Sequence, residues 1–171
     1  DSTASHNARH GVYLDDATDA TVTATTADDN GAAGVRVHHS DRATVRGVTA
    51  DGNDDGAHLS SPSTTLSDST FTSNVVGVRL HKHVHTVTNV TVEGSTDYGV
   101  YLSEPDNNII NASRINGSGS AGIYFPDDKP ENNLIYDNYL NNSDNVRFDE
   151  DVPPTDWSVS KRSKTNVVGG S

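Results

Sequence analysis

Apolar residues along this chain fall in pairs two positions apart, and each pair follows a glycine: GVYL at Gly11, GVRV at Gly34, GAHL at Gly56, GVRL at Gly77, GVYL at Gly99 and GIYF at Gly122. A seventh copy, NVRF, starts at Asn145. Successive copies are 23, 22, 21, 22, 23 and 23 residues apart, so the chain is a repeat array of stacked units. Spacing of two is strand spacing, and it points Val12, Val35, Ala57, Val78, Val100, Ile123 and Val146 inward as one buried column. The leading glycine predicts a turn with positive φ, and its one substitute, Asn145, is a residue type that tolerates that conformation.

Each repeat continues with a polar turn and a second strand: ATVTA at Ala20, ATVRGV at Ala43, TTLSDS at Thr64, TVTNVTV at Thr86, NNIINAS at Asn107 and NNLIYDN at Asn132. A third, weaker strand is marked by Val48, Phe71, Val92, Ile115 and Leu140, and the turn after it often carries Asn, as at Asn30, Asn53, Asn74, Asn116 and Asn141. Three short strands in about 22 residues leave no room for a helix, which excludes a leucine-rich repeat, and the period is too short for a propeller blade of about 40 residues. The pattern predicts an all-β fold, a right-handed parallel β-helix of about seven coils with three strands each, whose rungs stack about 4.8 Å apart. The whole chain, 1–171, reads as one domain. Between Asn145 and the pair Val167 and Val168 the spacing lengthens, and residues 149–164, with Pro153, Pro154 and Trp157, read as an inserted loop folded over the rod.

Composition narrows the partners. Twenty Asp and four Glu against eight Arg and four Lys give a net charge of -12, which argues against nucleic acid or an anionic membrane surface as partner. Low Lys with abundant Asp, Thr and Val suits a halophilic archaeal protein that stays soluble in concentrated salt. With no initiator Met, signal peptide or long apolar run, and a start inside the pattern, the sequence is expected to be part of a longer polypeptide, with no membrane insertion within this segment. The sequons at Asn89, Asn111, Asn116 and Asn141 agree with a secreted or cell-surface location.

The segments NNIINASRINGSGSAGIYF and NNLIYDNYLNNSDNVRF resemble the right-handed parallel β-helix superfamily of pectate lyases, polygalacturonases and alginate epimerases, and look most like its NosD-like branch of surface or periplasmic repeat proteins. The closing TDWSVSKRSKTNVVGGS is similar to the end of the repeat region in archaeal surface members. What this resemblance implies is the fold; the superfamily houses lyases, hydrolases, epimerases, metal-delivery accessories and adhesins. The chain carries neither the paired-Asp pattern of polygalacturonases nor the Asp-Pro-His of alginate epimerases.

If Val and Leu face inward, the residues between them face outward as a ladder: Tyr13, Arg36, His58, Arg79, Tyr101, Tyr124 and Arg147. The next outward position gives Asp15, His38, Ser60, His81, Ser103, Pro126 and Asp149. Tyrosine rings offer flat apolar faces to sugars and arginine offers a fork to a uronate or sulfate, so Tyr13, Arg36, His58, Arg79, Tyr101 and Tyr124 are candidate glycan-binding residues. The plain alternative is a surface strand whose arginines are held by acidic turn residues. The expected function is a glycan-contacting or spacer module. A polysaccharide lyase or epimerase acting on uronates is the alternative, with Arg36 or Arg79 neutralising the carboxylate and His58, kept neutral by the flanking guanidinium groups, as base. A glycosidase would need two facing carboxylates roughly 5 to 9.5 Å apart, and the middle coils show none.

No cofactor is required by these readings. Six of the eight histidines cluster at His38, His39, His58, His81, His83 and His85, and His81, His83 and His85 have the spacing to present three imidazoles to copper or zinc. The resemblance to NosD-like proteins links that cluster to copper handling. Against it, Lys82 falls where a continuing strand would face the core, which ends the strand and puts His83 and His85 in a solvated turn.

Overall fold

In a computed structural model of the chain, residues 1–82, 84–126, 132–149 and 167–168 are described. Their strands form three parallel sheets of seven, six and eight strands. Val12–Asp15, Ala33–His38, Asp55–Leu59, Val76–His81, Tyr98–Ser103, Ala121–Phe125 and Val146–Phe148 make up the front sheet. Each of the first six is followed by a strand of the six-stranded sheet, from Thr21–Thr23 to Leu134–Tyr136, and then by one of the eight-stranded sheet, such as Thr70–Thr72. Because every strand pairs with its equivalent one repeat away, the chain is a parallel β-helix. Six turns carry all three strands. The seventh coil of the expected array is represented by Val146–Phe148 and Val167–Val168; the latter pairs with Tyr139 and Leu140 and so extends the third strand position. The loop expected over 149–164, with Trp157, lies outside the described residues save for Asp149.

The register reproduces the buried column residue for residue, Val12 on Val35, Ala57, Val78, Val100, Ile123 and Val146. Its inner members are fully buried and join Leu59, Leu66, Phe71, Leu80, Leu102, Ile110, Ile115 and Leu140 in one continuous core. In the second repeat the third strand is Thr49–Asp51, and Ala50, not Val48, stands under Phe71.

Two expectations about the turns change. The repeat glycines do not have positive φ; that conformation belongs to Gly47, Gly52, Gly94 and Gly117, to many polar turn residues and to Ala24, Val84 and Ala112. Crowding selects them instead: a Cβ on Gly56 would lie 2.5 Å from the Gly77 carbonyl oxygen. The asparagines grouped in one turn do not share a place either: Asn116 and Asn141 end strands and are half-buried. Asn30, Asn53 and Asn74 point inward and are almost wholly buried. Asn53 Oδ1 accepts from the Asn30 backbone N–H at 2.8 Å and from its Nδ2 at 3.1 Å, and Asn74 Oδ1 does the same for Asn53 at 2.9 and 3.0 Å. The ladder satisfies turn N–H groups that the sheets leave unpaired and locks successive coils at one height.

Candidate functional site

The outward ladder forms as the alternation dictates: Tyr13, Arg36, His58, Arg79, Tyr101, Tyr124 and Arg147 are successive register partners along the front sheet. At about 4.8 Å per rung it runs roughly 29 Å. Arg36 and Arg79 flank His58, and a depression of about 350 Å³ opens over them, lined by Arg36, His58, Arg79, His81, Tyr101 and Ser103. Beyond Arg79 the surface is aromatic. The Arg79 guanidinium carbon lies 4.5 Å from the centre of the Tyr101 ring, a cation–π contact. Tyr98 stacks on Tyr124 with centroids 4.4 Å apart and planes 12° apart, and Tyr101 meets Tyr124 edge-on at 5.6 Å.

Asp55 organises this cluster, and it is the residue the ladder pattern misses. It stands one place before the repeat glycine, in a column where its register partners are Ala33 and Val76. Its carboxylate is nearly buried, accepts from Arg79 Nε at 3.0 Å on both oxygens, and lies 2.9 Å from His58 Nδ1. An ionised carboxylate only accepts, so Nδ1 carries the ring proton and Nε2 is the free acceptor of a neutral His58. Burial pushes Asp55 upward, but the hydrogen bonds from His58 and Arg79 outweigh it and hold its carboxyl below the usual value.

Arg79 is therefore held by an acidic neighbour, and Arg147 is held likewise by Asp144 at 2.9 Å. Arg42, Arg46 and Arg114 also pair with carboxylates. Arg36 differs: half-buried at the edge of the depression, it forms no hydrogen bond or ion pair among the described residues. Its loss of hydration pulls its guanidinium below the ordinary arginine value, against the opposing charges of Tyr13 and Asp55 and with those of Arg79 and Arg9 adding to the effect.

His58 is held below the ordinary histidine value as expected, but burial is the main cause; the charges of Arg36 and Arg79 add to it against the pull of Asp55. His10, in the same column as Asp55 and within range of its charge, is lowered by burial and then by Arg36. Both histidines bind a proton more weakly folded than unfolded, so protonation favours unfolding. Stability should be full above the ordinary value of 6.5 and should fall as pH drops below it through the folded values. Asp55 extends the loss in the same direction below 3.8. Urea midpoints taken from about pH 8 to about pH 5 should decline, and His58→Gln should flatten part of that slope. A parent midpoint that holds constant over this range would refute the arrangement.

Of the three histidines expected as metal ligands, two are described, and they differ in exposure. His81 ends its strand, faces outward and lines the depression. His85 is fully buried, with Nε2 3.2 Å from the His81 carbonyl oxygen and its backbone N–H on Asn108 Oδ1. It is an interior turn residue, not a solvated one. His83 lies outside the described residues. Among the described residues, the donors that do converge are Asp15, His38 and His39, whose ligand atoms lie within 4.8 Å of one another. Two imidazoles and a carboxylate suit copper, zinc or nickel.

No helix among the described residues is long and apolar enough to cross a membrane. No curated protein matches the chain in sequence. Among solved structures it is similar to the A-module of the mannuronan C-5 epimerase AlgE6 of Azotobacter vinelandii, with TM-score 0.69 and 16% identity over 78% of this chain and 38% of that one. The A-module of AlgE4 from the same organism gives TM-score 0.64 and 18% identity over 77% of this chain and 39% of that one. The Agl-KA catalytic domain gives TM-score 0.57 and 13% identity over 85% and 33%. The chain thus spans about two fifths of the epimerase modules, and at these identities the likeness is one of fold. The family described as periplasmic copper-binding protein (NosD) matches residues 1–171, and the chain belongs to it.

Proposed function

We propose that this chain is a module of the cell envelope or cell surface that grips a carboxylate-bearing polysaccharide along the front sheet. The observation that carries this reading is Arg36, a half-buried guanidinium beside a depression, in a protein of net charge -12, with no carboxylate paired to it among the described residues. A desolvated cation of this kind favours an incoming anion, and the planar fork of arginine fits a carboxylate. Tyr101, Tyr98 and Tyr124 continue the face as ring platforms for sugars, and Tyr13 gives it an exposed aromatic at the other end. Arg79, already committed to Asp55, shapes the site more than it binds.

Affinity electrophoresis and calorimetry with oligouronides, against a neutral glucan as control, test the reading. A charge-assisted contact is worth about 1.5–3 kcal/mol, so Arg36→Gln should weaken acidic oligomers by about ten-fold to a hundred-fold and leave stability nearly unchanged. Binding of the parent to neutral and acidic glycans alike, or an Arg36→Gln variant that binds like the parent, would end it.

One observation favours a second reading, that the chain modifies the uronate it holds. His58 presents a neutral Nε2 beside Arg36, where it could take the proton next to a carboxylate that Arg36 neutralises. The similar modules of known structure carry the name of mannuronan epimerases. Incubation with polymannuronate, followed by proton NMR for inverted residues and by absorbance for unsaturated ends, separates the two: an unchanged polymer that still binds leaves a binding module.

A further inference from the structure

The first two rungs carry a second constellation at the edge of the same sheet. Asp15 ends the strand Val12–Asp15, and His38, its register partner, ends Ala33–His38. His38 Nδ1 lies 2.9 Å from Asp15 Oδ1. His39 comes next in the chain with φ 44°, a left-handed turn that Asp16 also takes one rung below. The turn brings the His39 ring back over its neighbour, with centroids 3.7 Å apart, and sets its Nδ1 3.8 Å from Asp15 Oδ1. The Tyr13 hydroxyl lies 3.4 Å from His38 Nδ1 on the inner side.

We infer that Asp15, His38 and His39 bind one exchangeable divalent copper ion, Cu(II) and not Cu(I). Donors about 2.1 Å from a metal stand roughly 3.0 Å apart at a right angle and about 4.2 Å apart when opposed, so the separations of 2.9 and 3.8 Å from Asp15 fit one coordination sphere, and the two imidazole donors, within 4.8 Å of each other, reach it with at most a small side-chain shift. Imidazole nitrogens exclude magnesium and calcium as the preferred ions, and among first-row divalent ions a site of this kind favours copper. The oxidation state follows from the donors that converge. Two imidazoles and a carboxylate are nitrogen and oxygen ligands that suit Cu(II), whereas Cu(I) prefers sulfur, and none of the three donors is sulfur. Exchangeability follows from exposure: Asp15 and His39 are open to solvent and His38 is half-buried, so the remaining coordination positions face water. A structural site would be closed by four protein ligands. The family's description names copper; the residues and the oxidation state come from this chain, and the inference does not depend on the glycan reading.

The test is titration of the chain with Cu(II), read by calorimetry and by electron paramagnetic resonance. One saturable site with nitrogen hyperfine structure is expected. His38→Gln with His39→Asn should weaken it at least a hundred-fold and remove the nitrogen couplings; asparagine at 39 keeps the left-handed turn, so the melting temperature without metal should match the parent's. Asp15→Asn should cost about ten-fold, and Arg36→Gln nothing. Under anaerobic conditions Cu(I) should pass to a competing chelator that leaves Cu(II) in place. Binding that is multiple and unsaturable, that survives the His38 and His39 changes, or that vanishes with His81→Ala would overturn the site. Retention of Cu(I) in preference to Cu(II) would overturn the oxidation state.

Discussion

Replacing Asp55 by alanine is expected to destabilise the protein by about 3–5 kcal/mol, the usual cost of removing one partner from a buried ionic cluster. The carboxylate is nearly buried and sits on the middle of the three rungs that place Arg36, His58 and Arg79 about 4.8 Å apart. Without it Arg79 loses both of its hydrogen bonds at 3.0 Å, His58 loses the acceptor that fixes its ring proton, and two guanidinium groups face one another across an imidazole with nothing between them to balance the charge. A direct control follows. In Asp55→Ala with Arg79→Met the charge left behind is removed as well, and most of the loss should be recovered, because well-packed apolar replacements of buried pairs are often neutral or better. Urea unfolding of the parent, the single variant and the double variant measures both quantities. A single-variant loss under about 1 kcal/mol would mean that water replaces the carboxylate and that the cluster is a solvated surface. Arg36→Gln provides the contrast. Of the ladder's guanidinium groups at 36, 79 and 147, its charge is the one without a paired carboxylate among the described residues, so its removal should show in glycan binding and not in the urea midpoint.

The difference between Asp55 and Arg36 marks how far the sequence is legible. A period of about 22 residues sets the register and strand alternation sets the face, so the buried column from Val12 to Val146 and the ladder from Tyr13 to Arg147 could both be written down from the letters. Which ladder residue is already paired could not. Asp55 occupies a column with Ala33, Val76, Tyr98 and Ala121, where its charge stands out, but strand alternation puts that column on the inward parity and gives no sign that its carboxylate meets Arg79. Turns hid the rest. Polar residues between strands read as solvated, yet His85 lies in a column with Asn108 and Asn133 whose side chains point inward to hold the backbone of the coil before. Asp15 and His38 were visible as partners on one outward column, but the return of His39 over them depends on a left-handed turn that no periodicity announces. The repeat glycine suggests conformational freedom, but what governs it is space.

That space is small enough to make Gly77→Ala one of the most damaging single changes available. The added Cβ would fall on the Val92 Cγ1 methyl and 2.7 Å from the Gly99 carbonyl oxygen. Both neighbours are rigid: Val92 is fully buried in the core, and the Gly99 carbonyl lies in the sheet of the next rung. In a globular core an overpacked methyl is relieved by shifting one element, at about 1–3 kcal/mol. Here the strand Val76–His81 is hydrogen-bonded on both edges, and its coil is tied to its neighbours by side-chain ladders, so a shift at one rung must be passed along the rod. The cost should reach about 3 kcal/mol or more. Gly99→Ala should behave alike, since its Cβ would meet Ile115 and stand 2.6 Å from the Gly122 carbonyl oxygen. Gly94→Ala separates crowding from conformation: at φ +63° with nothing within 4 Å of the added carbon, it should lose only the 1–2 kcal/mol or so that a left-handed residue costs. Chemical denaturation of the three variants decides the matter, and equal losses at positions 77 and 94 would return the repeat glycine to a purely conformational role.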